Sequence, residues 1–378
     1  MSVLDDFLRE HNGMAAEARS MVFDLSQPHD QESLAQLVRD QQVKFVRDDY
    51  GEQLKEYYAV TTPSFAHALE FSQRAAEFTA TPEREVPLWQ QGRWAYYPWL
   101  STLVHVLDDE EFQSVRTARN RNLITQEEQK KFYDAVIGVA GLSVGNSAAL
   151  AIVLQGGGRR MRLADSDTLA LSNLNRIRAG VPSLGLSKTD ITARQIYELN
   201  PYANLELFSE GLTDNTIARF FSGPPQLDVI VDEIDDLVTK CRIREYAKKL
   251  KIPLVSAADV ADNGVVFVER YDKDPELEPF LGFLGYASPE ELKQLDRRGA
   301  GEKIAKLLGM QHHTARMLDS LKEIGKSIVS WPQLGGAALL NGAAVAYCVR
   351  KIVTGELLES GRYFISLDEK FAFQEIRV

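Results

Sequence analysis

At 378 residues, with 44% hydrophobic and 26% charged side chains, the chain is long enough for two or three domains at ~150 residues each, and its composition excludes a disordered, collagen-like or low-complexity protein. The net charge of −11 is uneven: residues 1–130 carry 22 acids against 13 bases, a balance of −9, and residues 131–378 carry 32 against 30, a balance of −2. Nucleic acid or an anionic membrane is therefore not an expected partner, because phosphate neutralisation needs clustered Lys and Arg. Cys241 and Cys348, the only cysteines, exclude a disulfide framework and a thiolate zinc site. The start MSVLDDFLRE is acidic where a signal peptide is basic, and no run approaches ~18 uncharged apolar residues, so a cytoplasmic chain is expected.

Residues 1–110 read as an N-terminal α+β accessory module. A helical pattern at Leu34, Leu37 and Val38 is followed by the aromatics Trp89, Trp94, Tyr96, Tyr97 and Trp99, which form either a small core or a partner-binding groove. Residues 111–378 read as a second domain. Ala135–Ala140 is a strand, Gly141–Gly145 a turn, Ser147–Leu154 a buried helix and Met161–Ala164 a second strand. Short apolar runs at Leu205–Phe208, Val229–Val231, Pro253–Ser256 and Val265–Glu269 alternate with helical stretches at Lys188–Leu199 and Leu237–Leu250. Such alternation predicts an α/β fold with a doubly wound, mostly parallel, Rossmann-like sheet. A charged helical insertion at 272–330 precedes a small-residue helix, Ala337–Val353, and a last strand, Tyr363–Leu367.

The candidate chemistry clusters between residues 140 and 236. A strand that turns directly into a helix gathers free N–H groups and the positive end of the helix dipole, which suits phosphate. Here Gly141, Ser143 and Gly145 keep only part of a G-x-G-x-x-G pattern, so the turn reads either as a nucleotide site or as a tight turn. Asp165, 20 residues after Gly145, stands where an acid meets ribose hydroxyls, or is a solvated strand end. Ser172-Asn173-Leu-Asn-Arg176, Lys188 and Asp232-Glu-Ile-Asp235-Asp236 follow. Arg and Lys neutralise phosphate oxygens, Asn is an uncharged donor, and an Asp at the carboxyl end of a strand suits Mg²⁺ beside a triphosphate. Dehydrogenases do not need this set. His312 and His313 read as surface histidines, since adjacent helical side chains point about 100° apart and share one ion poorly.

In this order the motifs resemble the E1-like activating enzymes of the ThiF, MoeB and HesA type, over about residues 116–270 and 330–378. The family's D-x-D stands as Asp165-Ser-Asp167, its S-N-L-x-R as Ser172–Arg176, its Lys as Lys188 and its D-x-x-D-N as Asp232–Asp236. The resemblance implies an adenylating domain at 111–378 that uses ATP and Mg²⁺. Gly141, Ser143, Gly145, Asp165, Asp167, Asn173, Arg176, Lys188 and Asp236 would bind the nucleotide. Arg119, Arg176, Lys188 and Asp235 would be catalytic, with Asp235 the metal ligand. Arg119 lies in Arg116-Thr-Ala-Arg119-Asn120, similar to the family's R-Y-x-R-Q, whose second Arg reaches a neighbouring subunit's phosphates, so a homodimer is implied. Four features depart from the family: no cysteine lies between Cys241 and Cys348, where thiol-forming members carry their nucleophile, the C-x-x-C zinc pairs of many members are lacking, the glycine loop is degenerate, and Asp236 replaces an Asn.

The resemblance therefore implies adenylation of a substrate carboxylate without a catalytic cysteine. In character the chain is most similar to members that mature ribosomal peptides, of the microcin C7 and pantocin A type, with residues 1–110 gripping a leader peptide. A small carrier protein as substrate, an inactive scaffold subunit, and a hydride-transferring dehydrogenase are the alternatives.

Overall fold

The computed structural model describes residues 17–64, 66, 69–79, 86–285, 288–295, 297–309 and 313–372. Two compact units emerge, Met1–Glu128 with Ala193–Ala203, and Gln129–Thr192 with Asn204–Val378.

The first unit holds a four-stranded sheet, ordered β1-β3-β4-β2, of β1 (Met21–Phe23), β2 (Phe45–Asp48), β3 (Arg93–Tyr97) and β4 (Thr102–Val106). With it go α1 (Pro28–Arg39), α2 (Tyr50–Thr61), α3 (Phe71–Thr79) and α4 (Asp109–Arg116). α1 begins on a proline, tolerated in the first turn because no N–H is needed there. Its Leu34 and Leu37 pack on Phe23, Trp94, Tyr96 and Leu103. Most of the aromatic stretch is core: Trp94, Tyr96 and Tyr97 are buried, whereas Trp89 is 49% exposed. His105 is fully buried between the Tyr50 and Trp94 rings, with centroids 4.1 and 4.3 Å away.

α5 (Gln126–Asp134) leads into the second unit. There β5 (Val136–Ala140), α6 (Val144–Leu154), β6 (Arg160–Ala164), α7 (Lys188–Leu199, of which Ala193–Leu199 count with the first unit) and β7 (Asn204–Phe208) wind one way. α8 (Ile217–Ser222), β8 (Val229–Asp232), α9 (Leu237–Leu250), β9 (Leu254–Val260) and β10 (Asn263–Glu269) wind the other. After α10 (Pro289–Lys293), α11 (Arg297–Leu308) and α12 (Ala315–Leu321), the chain closes with α13 (Gly335–Thr354), β11 (Gly361–Ile365) and α14 (Leu367–Lys370).

The seven-stranded order is β11-β10-β9-β8-β5-β6-β7, parallel from β9 to β7 and antiparallel at β10 and β11. This is the doubly wound, mostly parallel α/β sheet expected. Because β6 and β8 flank β5 on opposite sides, the winding reverses at β5 and β8, and the carboxyl ends of those strands open a crevice.

Helices cover both faces. Phe220, Phe221, Ile243 and Ala247 of α8 and α9 pack with Val136, Ile230 and Leu254 of the sheet. α13 packs on α6, β9 and β10, so closely to α6 that a Cβ at Gly342 would lie 2.6 Å from Ser147 Cβ. By length and mean hydropathy α13 could cross a membrane, the one such helix among the described residues, although Asn341, Arg350 and Lys351 keep it from being an uncharged apolar run. Small Gly and Ala residues supply much of that apolar length, and half of the apolar stretch is buried in the protein. Strand β9 also outruns its expected end at Ser256, because Ala257–Val260 pair with Asn263–Val266 of β10.

Candidate active site

The crevice is built by two loops that leave neighbouring parallel strands. β5 ends at Ala140, and Gly141 turns the chain with φ +84°, where any Cβ would collide with the Glu233 carbonyl. Glycine is thus required by both backbone conformation and space. The turn is fixed by Asp165 at the end of β6: its Oδ2 accepts from Leu142 N–H at 2.6 Å and its Oδ1 from Asp167 N–H at 2.8 Å. Burial pushes the Asp165 carboxyl above the usual aspartate range. Lys188, 7% exposed at the start of α7, donates Nζ to Asp167 Oδ2 at 2.7 Å and lies 3.8 Å from Asp165 Oδ1. Arg176 donates Nε to Ser143 Oγ at 3.1 Å and Nη1 to Ser172 O at 3.3 Å, which ties the S-N-L-x-R segment to the glycine turn.

The second loop, Glu233–Asp236, follows β8. Asp235 is exposed, and Asp236 caps α9 by accepting from Thr239 N–H at 2.8 Å. Glu233 accepts from Ala257 N–H at 2.8 Å, and burial holds its carboxyl well above the normal glutamate range. Behind this loop lies an ionic cluster. Asp232 and Glu269, each 0% exposed, hold Arg244, 1% exposed, at 2.6 and 2.8 Å, and Lys240 lies 3.2 Å from Asp232. The Arg244 guanidinium sits 3.7 Å from the Phe280 ring centroid.

Two cavities meet here. One of 340 Å³ is lined by Gly141, Ser143, Asp165, Asp167, Lys188 and Asp236, and also by Leu212 and Thr213. The other, of 510 Å³, is lined by Arg176, Lys240, Asp259, Phe267, Leu307 and Trp331 among others. Ser143, Glu233, Ile234 and Asp235 belong to the walls of both.

Most of the residues singled out in sequence are therefore gathered around one crevice. Asn173 and Gly145 line neither cavity: Asn173 Oδ1 accepts from Ala170 N–H within its own turn, and Gly145 is buried in the first turn of α6. Asn175 instead donates Nδ2 to Gln333 O at 2.8 Å. Arg119 is exposed in the first unit, in the single turn Ala118–Asn120. His313 is a correction. It is 8% exposed rather than a surface side chain, packed edge-on against Trp331 at 6.2 Å, while His312 lies outside the described residues. Cys241 and Cys348 are buried, which pushes each thiol up to about 11.

Sequence reasoning missed Asp259, which is 3% exposed and accepts from Asn341 Nδ2 at 2.6 Å and Gln333 Nε2 at 3.4 Å. An acid closing the apolar run Leu254–Ala258 was its available signal. Among the described residues no group of three His, Cys, Asp or Glu side chains forms a metal site by itself.

A ThiF family model matches residues 117–372. An uncharacterized protein of Mycobacterium tuberculosis, MT1398, is 39% identical over 301 residues, 78% of this chain and 41% of that protein. The tRNA threonylcarbamoyladenosine dehydratase of Escherichia coli is 32% identical over 127 residues, 33% of this chain and 46% of that enzyme. The chain thus spans less than half the length of these curated relatives. Among solved structures, E. coli MccB with ATP is 18% identical, with a TM-score of 0.43 over 64% of this chain and 63% of that one.

Proposed function

Because the chain belongs to the ThiF family, we propose that it is an ATP-dependent adenylyltransferase that activates a substrate carboxylate without a protein thiol. One observation carries this reading: the two cavities share the Ser143, Glu233–Asp235 wall, so a nucleotide in one and an acid in the other meet beside Arg176 and Asp235.

The residues fit ATP. Gly141 lines the smaller cavity without a side chain, Lys188 is held in place by two carboxylates, and Leu212 offers an apolar surface to a base. Mg²⁺ fits as well: it is usually held by one or two carboxylates together with substrate phosphates, and Asp235 is the exposed carboxylate on the shared wall. When bound, the ion would offset phosphate charge. A substrate carboxylate oxygen attacks the α-phosphorus, the bond to the bridging oxygen of the β-phosphate breaks, and pyrophosphate leaves with that electron pair. Arg176 and Lys188 stabilise the charge that builds on the phosphate oxygens. Both cysteines are protonated at neutral pH and buried, so neither serves as a nucleophile. Arg119, exposed on the first unit, acts on the partner's site in a homodimer.

The acid belongs to a ribosomally made peptide, held in part by the first unit. A second reading, a carboxylate carried on tRNA, is favoured by the 32% identity to the tRNA dehydratase, although the acidic balance of residues 1–130 opposes it.

The reading is tested by thermal shift with Mg-ATP against NAD, followed by Asp235→Ala. ATP should raise the unfolding midpoint and NAD should not. The variant should fold normally yet release pyrophosphate at least ~100-fold more slowly when substrate peptide is supplied. Stabilisation by NAD alone, or equal rates for variant and wild type, would overturn it.

A further inference from the structure

The 510 Å³ cavity is the right size for a small molecule or one bulky residue, within the ~300–1,000 Å³ of ligand sites. Its walls differ in chemistry. At the boundary with the nucleotide cavity stands Arg176, already fixed by Ser143 and Ser172. On β9 stands Asp259, buried, with a carboxylate that accepts two hydrogen bonds, from Asn341 and Gln333. Ionised carboxylates have about four acceptor positions, so capacity for another donor remains. Lys240 and Arg244 also reach this cavity, but both are engaged by Asp232, at 3.2 and 2.6 Å, and one side of the lining is apolar: Phe267 on β10, Ile304, Leu307 and Leu308 at the end of α11, and Trp331. A cation, a fixed acceptor and an apolar wall around one space match the three substituents of an α-carbon: a carboxylate, a nitrogen bearing hydrogen, and a large hydrocarbon side chain.

We propose that this cavity selects a bulky apolar α-amino acid residue, free or at the C-terminus of a peptide, as the acid that is activated; the proposal rests on the adenylation reading above. The carboxylate lies toward Arg176 and the α-phosphorus, the α-nitrogen donates to Asp259, and the side chain covers Phe267, Leu307, Leu308 and Trp331. A C-terminal glycine leaves that wall bare, and a glutamate side chain puts a charge against it, Lys240 in the same cavity being already paired with Asp232 at 3.2 Å. Each methylene that a hydrophobic pocket recognises is worth roughly 10–200-fold in discrimination, so leucine should exceed glycine by at least ~100-fold in kcat/KM.

Binding and chemistry are measured apart on the full chain. Saturation-transfer NMR without nucleotide compares L-leucine, N-acetyl-L-leucine and glycine. ATP–pyrophosphate exchange compares L-leucine, L-phenylalanine and short peptides ending in either with glycine, a peptide ending in Gly-Gly, and L-glutamate. The apolar probes should bind and drive exchange, and Trp331→Ala should raise their KM at least tenfold while Mg-ATP affinity stays within twofold. Asp259→Asn distinguishes the two sources. It should depress exchange strongly for free leucine, whose ammonium loses its counter-charge, and only slightly for a peptide ending in leucine, whose neutral N–H still finds an acceptor. A preference for glycine or glutamate, failure of every apolar probe to bind, or no effect of Trp331→Ala would overturn the proposal. Apolar probes that bind a chain unable to bind ATP would refute adenylation and leave the specificity standing.

Discussion

Replacing Arg244 by Met should be among the most damaging single changes in the second unit. The guanidinium is 1% exposed between Asp232 and Glu269, both 0% exposed. Met keeps most of the side-chain volume, so the loss is chiefly electrostatic. Asp232 retains Lys240 at 3.2 Å and the Ile234 N–H at 3.2 Å, and Glu269 retains the Tyr271 hydroxyl at 2.6 Å and the Phe280 N–H at 2.7 Å. Those contacts supply one positive charge for two buried carboxylates. Removing one partner of a buried ion pair costs about 3–5 kcal/mol, and losing the stack on Phe280 adds about 1 kcal/mol. A total of about 4–6 kcal/mol is a large part of the 5–15 kcal/mol that holds a typical domain folded. Asp232 ends the strand from which Glu233–Asp236 emerges, so ATP affinity should fall as well. Urea unfolding at pH 7, followed by circular dichroism, measures the loss. The double variant Arg244→Met, Glu269→Gln should regain at least ~1 kcal/mol over the single one, because one unpaired charge has gone. A loss below ~1 kcal/mol, or no recovery in the double variant, would refute the view that this cluster is held by charge pairing.

Glu233→Gln tests the raised carboxyl. Its folded pKa lies above the unfolded one, so the native state keeps a proton that the unfolded chain releases, and stability declines as pH rises through that interval, by about 1.4 kcal/mol per unit. Gln still accepts from Ala257 N–H, so urea midpoints from pH 5 to 7.5 should decline less in the variant than in wild type. Cys241→Ala, Cys348→Ala should cost ~1–2 kcal/mol in unfolding experiments yet retain turnover at low temperature; a thousandfold loss with the fold intact would reveal thiol chemistry. Arg119→Ala and Lys188→Ala should each be nearly inactive as homodimers. If Arg119 acts in trans, mixing the two with subunit exchange should restore about a quarter of wild-type activity, because half the dimers are mixed and half of their sites intact. No recovery despite demonstrated exchange would place Arg119 within its own chain's site or outside it.

The parts of the site that were legible in the sequence are those whose neighbours in space are also neighbours in a motif. The Gly141 turn, Asp165, Lys188 and Asp235 each follow the end of a strand or open a helix, period and punctuation place those ends well, and Arg176 closes the S-N-L-x-R motif. The strand alternation likewise made the parallel sheet readable, because βαβ winding leaves few arrangements.

Side-chain direction was not legible. In the turn Leu171–Asn173 the chain advances so that Asn173 folds back on Ala170 while Asn175 reaches Gln333, a residue 158 positions away. Asp259 became a site residue only because β9 continues past Ser256 to pair with β10 and meets Asn341 of α13. His313 is buried and meets Trp331, 18 positions away, edge-on. The sequence by itself determined which strands and helices form and where their charged ends stand, since these depend on local pattern and chain direction. Only the tertiary structure decided which wall of which cavity each side chain faces, because that depends on contacts made by residues far apart in the chain.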